Sequence, residues 1–155
     1  MAPKLVKIQP FTVRGIRART VNRDEANPKT AKIPALWGRF HSEGIAEKVP
    51  DRAGDSPVYG VYSAYESDAS GPYDLTLGVS VRAVPRAPGF ETVEIGGSDY
   101  LVFEARGPMP QIVIDTWGAI WEYFADDAPF ERKYTTDFEV YRGADFVAIH
   151  VAVAR

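Results

Sequence analysis

Hydrophobic residues follow helical spacing in two segments of the chain and alternate with polar residues in most of the rest. The first helix is predicted over about residues 29–43, with a stripe at i, i+3, i+4 and i+7 formed by Ile33, Leu36, Trp37 and Phe40. Gly44 follows this stripe and is positioned to end the helix. A second helix is predicted over about residues 111–125, with a stripe of Ile114, Trp117, Trp121 and Phe124.

Alternation of apolar and polar residues predicts extended strands elsewhere. These strands span residues 5–18, 58–66, 73–83, 90–95, 100–105, 132–141 and 146–154. Pro10 interrupts the first of them and marks an edge or a bulge, because proline cannot donate to a strand ladder. The strands at 58–66 and 73–83 are expected to form a hairpin around the turn SDASGP.

The order of elements recurs on either side of Pro85–Pro88, the clearest internal boundary. Each half contains a strand, a helix and two further strands, so pseudo-repeats are expected at about residues 1–84 and 85–155 of a single domain. Helices that alternate with antiparallel hairpins predict an α+β fold. We expect an antiparallel sheet with two helices on one face and a ligand groove between the halves.

Glu139 is the charged residue whose position most needs an explanation. It lies in the predicted strand RKYTTDFEVY, and acidic residues are depleted in strands. Alternation places Tyr141 on the same face as Glu139, whereas Tyr134 and Phe138 point to the opposite face. The carboxylate is therefore either a solvated surface group or a charge enclosed by aromatic side chains for a purpose.

An enclosed carboxylate has two chemical uses. Burial raises the pKa of such a group, and a bound organic cation offsets the cost of burying its charge. Aromatic faces add cation–π attraction, so Glu139 among Tyr, Trp and Phe favours flat, lipophilic cations. The same carboxyl group could instead serve as a general acid or base. The residues leave both uses open.

Composition excludes several other classes of function. The net charge of −3 and the scattered basic residues argue against a surface for nucleic acid or anionic membrane. The absence of cysteine excludes disulfides and thiolate chemistry and fits a reducing cytoplasm. The N-terminus has no signal-peptide pattern, and no apolar run is long enough to cross a membrane. We therefore expect a cytoplasmic protein with no membrane partner.

Two histidines are further candidates for chemistry, and no nucleotide-binding, zinc-protease or hydrolase motif is present. His41 lies near the end of a predicted helix, where it can interact with the last carbonyl groups. His150 lies on the last strand, on the side away from its apolar face. It is either solvated or lines the same surface as Glu139. Two distant histidines predict no metal site, and no cofactor is expected.

Four segments in combination resemble a known family: AKIPALWGRF at Ala31–Phe40, YGVYSAYESD at Tyr59–Asp68, IDTWGAIWEYF at Ile114–Phe124, and YTTDFEVY at Tyr134–Tyr141. Their order is similar to that of the gyrase-inhibitor-like small-molecule-binding domains. These domains serve as effector-binding parts of some bacterial transcription activators. The resemblance is strongest to the stand-alone, integron-cassette-associated type.

The resemblance implies a duplicated strand–helix–strand–strand fold with a ligand groove and a pocket glutamate for lipophilic cations, which corresponds to Glu139. The ligand-binding candidates are Glu139, Tyr141, Phe138, Tyr134, Trp121, Trp37, Tyr65 and His150. Some similar proteins are hydrolases of cyclopropane-bearing genotoxins, for which Glu139 would be the catalytic residue. A protein-interaction module is the third alternative. DNA-binding members carry a separate module that this sequence lacks, so no binding of nucleic acid by itself is expected.

Overall fold

The computed structural model describes residues 3–82, 88–125 and 128–154 of the chain. Over these residues the strands are β1 (Lys4–Ile8), β2 (Phe11–Thr20), β3 (Val58–Ser63), β4 (Tyr73–Ser80), β5 (Glu91–Ile95), β6 (Ser98–Arg106), β7 (Glu131–Arg132), β8 (Asp137–Tyr141) and β9 (Phe146–Ala154). The helices are α1 (Asn22–Glu25), α2 (Ile33–Ser42), α3 (Ile45–Lys48) and α4 (Gln111–Ala125).

All described strands join one antiparallel sheet in the order β1-β6-β9-β8-β3-β4-β2-β5, with β7 paired to β9. Two strands near one end of that order are joined by short links to two strands near the other end. Only residues 9–10 separate β1 from β2, and only residues 96–97 separate β5 from β6. Such a short link reaches only about 10 Å. The sheet therefore curls until its two ends approach each other.

The curl gives the sheet one face that carries the helices and one concave face. Helices α2 and α3 cover β2 and β4, where Leu75, Leu77 and Val79 are buried. Helix α4 covers β6 and β9 on the same face of the sheet. The concave face has its own core, formed by Val13, Val61, Val93, Ile95, Tyr100, Val102, Phe138, Val140, Ala148 and Ala152. The expected α+β architecture, with both main helices on one face, is confirmed.

Where the sequence follows a single period clearly, the structure contains the predicted helix or strand. Strand β9 occupies Phe146–Ala154 as predicted, and its alternating valines and Ile149 are buried against α4. Helix α2 buries Leu36 and Phe40, as its stripe predicts, and the chain turns at Gly44 with a φ of 59°. The hairpin of β3 and β4 is confirmed.

The predicted apolar stripe of α4 is half right, because Trp117 and Phe124 pack against the core of β6 and β9 but Ile114 and Trp121 do not. Ile114 is 60% exposed and Trp121 is 47% exposed, whereas Thr116 and Ile120 face the sheet. This helix carries large apolar residues around most of its circumference, so the helical period alone does not define the buried face.

Several boundaries also differ. The first predicted segment is two strands, β1 and β2, which lie near opposite ends of the sheet order and are separated at Pro10. The predicted strand 132–141 is broken, because Tyr134 has a φ of 52° and β8 begins only at Asp137. The proposed joint between the halves falls largely at residues 83–87, and the acidic end of the second helix at 126–127. Both lie outside the described residues, and the duplication stays a prediction.

Strands β2 and β4 approach closely where Gly15 pairs with Gly78. A Cβ atom on Gly78 would lie 2.1 Å from the carbonyl oxygen of Arg14. We expect Gly78→Ala to lower the free energy of unfolding by about 2 kcal/mol or more in a urea titration, since the backbone must shift. Gly118→Ala, in the open middle of α4, is the matched control and should stabilise the protein by about 1 kcal/mol. Equal effects of the two substitutions would contradict the close approach.

Candidate ligand-binding site

Glu139 lies at the centre of the sheet, on the face that carries the helices. Its strand, β8, pairs with β3 on one side and β9 on the other, and Gly60 of β3 is its direct cross-strand neighbour. A Cβ atom on Gly60 would lie 2.8 Å from Glu139 Oε1, so the carboxylate occupies space that any other residue would fill. The side chain is only 1% exposed.

Three aromatic side chains donate hydrogen bonds to this carboxylate. The hydroxyl group of Tyr62 donates to Oε2 over 2.8 Å, and the indole Nε1 of Trp117 donates to the same oxygen over 2.7 Å. The hydroxyl group of Tyr141 donates to Oε1 over 2.6 Å. The donors come from β3, α4 and β8, so the carboxylate ties one helix to the middle of the sheet.

Burial dominates the electrostatics of the site. It raises the pKa of Glu139 above the ordinary value of 4.5, although the bonds from Tyr141, Trp117 and Tyr62 oppose that change. Burial, and then the negative charge of Glu139, also hold the pKa values of Tyr62 and Tyr141 well above 10.0. Both phenols therefore stay protonated at neutral pH and remain donors.

A second buried carboxylate, Asp137, lies two residues away on the same face of β8. Its Oδ1 accepts the backbone N–H of Ala152, and its Oδ2 accepts from Tyr65 and from Arg132 Nη2, the latter over 2.8 Å. The guanidinium group of Arg132 lies 5.7 Å from the ring of Trp117. Asp137 thus has a cationic partner and helps to hold Trp117, whereas Glu139 has neutral donors.

Further aromatic rings surround the two carboxylates. Trp37 of α2 meets Tyr141 edge-on with 5.1 Å between ring centroids, and Trp117 meets Tyr62 edge-on at 5.3 Å. The two tryptophans come from the two helices that flank Glu139. A positive charge brought between these helices would meet aromatic rings on several sides.

The structure brings most of the predicted residues together. Glu139 and Tyr141 are hydrogen-bonded, Trp37 touches Tyr141, and Tyr65 donates to Asp137. Tyr134 also joins this side, with its ring 4.4 Å from Arg132 Cζ and 5.7 Å from the ring of Tyr65. Its predicted placement with Phe138 on the opposite face is wrong, because the left-handed backbone at Tyr134 precedes β8 and breaks the alternation.

Three predicted residues lie elsewhere. Phe138 and His150 face the concave side of the sheet, where their rings stack at 4.3 Å, so the suggestion that His150 shares a surface with Glu139 is wrong. Trp121 points outward from α4.

Tyr62 and Gly60 are not among the residues predicted from the sequence to form the site, and Trp117 is predicted only as part of the apolar stripe of the second helix. Alternation in VYGVYS places Gly60 and Tyr62 on one face, but only the pairing of β3 with β8 shows that Glu139 lies against them.

The mixed fold, with its large antiparallel sheet and few helices, is that of the gyrase-inhibitor-like effector-binding domains. Residues 4–153 match the family model described as integron-associated effector binding protein, and the chain belongs to this family. Within the described residues, no helix has the length and apolar character needed to span a membrane, and no group of three or more acidic or histidine side chains is arranged to hold a metal ion.

Individual relatives agree with this assignment. A putative transcriptional regulator, YobU of Bacillus subtilis, is 32% identical over 129 residues, which cover 82% of this chain and 78% of YobU. An integron cassette protein of Vibrio cholerae has 40% identity and a TM-score of 0.85, with 99% of this chain and 96% of that chain covered. A structure described as SAV2435 bound to tetraphenylphosphonium has the same fold, with 20% identity and a TM-score of 0.78 over 99% of this chain and 94% of that chain.

Neutralising Glu139 should change the pH dependence of stability. Because the folded-state pKa is raised, the folded protein binds this proton more tightly than the unfolded chain does. As the pH rises from about 4.5 through the folded-state pKa, the wild type should lose stability relative to Glu139→Gln, and the difference should then level off. Urea titrations from pH 4 to 8 measure this difference. A difference independent of pH would contradict the burial of an ionisable carboxyl group.

Removing the acceptor altogether should cost stability. Glu139→Leu has a similar volume but leaves the phenols of Tyr62 and Tyr141 and the indole N–H of Trp117 without their acceptor. Since an unmade buried hydrogen bond costs about 1–3 kcal/mol, we expect a loss of about 3 kcal/mol or more in the free energy of unfolding at pH 7. Glu94→Leu, at an exposed position of β5, is the control and should change it by less than about 1 kcal/mol.

Proposed function

We propose that this protein binds small, lipophilic, cationic aromatic molecules in the site around Glu139, as an effector-sensing or drug-sequestering protein. The observation that carries the proposal is a carboxylate that is 1% exposed and is held by three neutral aromatic donors. Among the described residues, Glu139 forms no ion pair, in contrast to Asp137. The site therefore contains a buried acid whose charge lacks a protein counter-ion.

The absence of a counter-ion for Glu139 predicts that the ligand carries a positive charge. A buried anion without a counter-ion raises the free energy of the folded protein, and a bound cation lowers it by Coulomb attraction in a weakly polarisable environment. Rings of Trp37, Trp117, Tyr62 and Tyr141 add cation–π attraction and apolar contact. A strongly hydrated ammonium ion gains less, because it gives up more hydration on entry.

Entry of a ligand requires movement of the aromatic side chains. Glu139 is covered on the helix side by Trp117 and Tyr141, both of which are half-buried rather than fully enclosed. Rotation of these side chains opens a path between α2 and α4 without breaking the sheet. Binding should therefore alter the fluorescence of Trp117 and Trp37.

The relative bound to tetraphenylphosphonium supports the ligand class, because that ion is a lipophilic aromatic cation without hydrogen-bond donors. Its likeness to this chain shows the common fold, and the enclosed carboxylate found here provides the physical reason to expect the same kind of ligand. The ion is accordingly a suitable first probe.

Titration with tetraphenylphosphonium, followed by tryptophan fluorescence and calorimetry, tests the proposal. Glu139→Gln should bind at least tenfold more weakly, which corresponds to about 1.4 kcal/mol. Glu104→Gln removes the same charge from the opposite face of the sheet and should bind as the wild type does. Neutral triphenylphosphine oxide should bind the wild type and Glu139→Gln equally. Equal affinity of wild type and Glu139→Gln for the cation would refute the role of the charge.

A hydrolytic role is the second candidate, and the raised pKa of Glu139 beside the hydroxyl groups of Tyr62 and Tyr141 favours it. A carboxyl group with a raised pKa can act as a general acid: it protonates one carbon of a strained ring as the ring bond breaks, water adds to the other carbon, and the proton that water loses returns to the carboxylate. The test is product formation from a cyclopropane-bearing electrophile, followed by mass spectrometry. Turnover that disappears in Glu139→Gln would establish the role, and its absence in the wild type across a panel of such compounds would count against it.

A further inference from the structure

The concave face of the sheet contains a cleft of about 440 Å³ that is separate from Glu139. This volume lies within the range of about 300–1,000 Å³ that is common for small-molecule sites. The cleft opens between β1, β2, β3, β6, β8 and β9, where the two ends of the curled sheet approach each other. Phe138 lines this cleft, whereas its neighbour Glu139 points to the other side of β8.

Aromatic rings form the floor of this concave cleft. The ring of His150 stacks on Phe138 with 4.3 Å between centroids and an angle of 15° between planes. Phe11 meets Phe138 edge-on at 5.5 Å, and Tyr59 lies 5.3 Å from Phe11. Phe138 is held from below by Tyr100. These contacts fix flat surfaces in place before any ligand arrives, which lowers the entropic cost of binding a planar molecule.

His150 provides a hydrogen-bond acceptor in the same cleft. Its Nδ1 lies 3.3 Å from the carbonyl oxygen of Ala148, which can only accept, so Nδ1 carries the proton. Burial, together with the positive charge of Arg142, lowers the pKa of His150 to about 4, and the ring is therefore neutral at pH 7. Its Nε2 is consequently an acceptor, and within the described residues no hydrogen bond to it is present.

Charged side chains at the opening favour an anion. Lys4 and Arg142 line the cleft with two positive charges, and Glu104 contributes one negative charge. In the described part of the chain none of the three forms a salt bridge. Arg142 lines the same cleft as Tyr59 and His150, so its charge lies at the edge of the aromatic floor. The cleft thus has the opposite charge preference from the Glu139 site.

We propose that this cleft is a second small-molecule site, which takes a planar aromatic acid: a molecule with a fused or single aromatic ring, a carboxylate or sulfonate, and a hydroxyl or N–H donor. The ring lies against Phe11 and His150, both of which pack on the buried ring of Phe138. The anionic group pairs with Arg142, with Lys4 nearby, and the donor meets Nε2 of His150. This site uses no side chain of the Glu139 site. The proposal therefore does not depend on the proposed cation binding.

The fluorescent anion 1-anilinonaphthalene-8-sulfonate is a suitable probe, since it combines fused rings, a sulfonate and an N–H donor. Arg142→Glu should weaken its binding at least tenfold, and His150→Phe, which keeps the stacking but removes the acceptor, should weaken it several-fold. Glu104→Gln should strengthen binding a few-fold, because the opposing charge is removed. Glu139→Gln should leave it unchanged. Arg142 and Glu104 are exposed, so these substitutions should preserve the fold, and thermal unfolding checks that they do.

The opposite pattern would overturn the proposal. Binding that is unchanged in Arg142→Glu, or weakened by Glu104→Gln, would show that the cleft does not select anions. Competition between the naphthalenesulfonate and tetraphenylphosphonium for one stoichiometric site, lost in Glu139→Gln, would assign the probe to the other face. Sedimentation that shows a dimer dissociated by Arg142→Glu, without probe binding, would make the cleft an interface between copies of this chain.

Discussion

The structure depends on one buried negative charge, that of Glu139, which is held by neutral donors. Isolated ionised carboxylates are too costly to bury, so such groups are paired, hydrogen-bonded or protonated. Here the phenols of Tyr62 and Tyr141 and the indole N–H of Trp117 make the charge tolerable without neutralising it. The pKa is raised because these bonds only partly offset the loss of water. Because the compensation is incomplete, a cation near Glu139 would stabilise its carboxylate further. An arginine or lysine in contact with Glu139 would already have provided that stabilisation.

Asp137, two residues away on the same strand, is a buried carboxylate that is stabilised in a different way. Its side chain is fully buried, pairs with Arg132 and accepts the backbone N–H of Ala152, so every oxygen has a strong partner. The guanidinium group of Arg132 in turn lies over the ring of Trp117. The compensated carboxylate therefore supports the uncompensated one, because it helps to fix an indole that donates to Glu139. Strand β8 thus holds one acid that is paired with an arginine and one that is contacted only by neutral donors.

Sequence patterns predicted those features that depend on local periodicity. The alternation along β9, the stripe of α2 and the shared face of Glu139 and Tyr141 all follow from neighbours in the chain. Three features could not be predicted from local periodicity. The apolar character around α4 left the choice between Trp117 and Trp121 undetermined, and a left-handed residue at Tyr134 ended the alternation early. The third, the pairing of β3 with β8, brings Gly60 and Tyr62 to Glu139 across about half the length of the chain, and nothing local encodes it.

The arrangement of donors also explains why the proposed ligands lack hydrogen-bonding groups at the charge. An ionised carboxylate offers about four lone-pair directions, and Tyr62, Trp117 and Tyr141 already occupy three of them. A primary ammonium ion would need several of these directions and would have to compete with donors that are held in place by packing. A phosphonium or quaternary ammonium ion needs none, because its attraction to the carboxylate is purely Coulombic and its surface is apolar. Such an ion can rest on the aromatic rings after Trp117 and Tyr141 have rotated to admit it and have re-formed their hydrogen bonds, so the donors that stabilise the carboxylate also favour lipophilic cations.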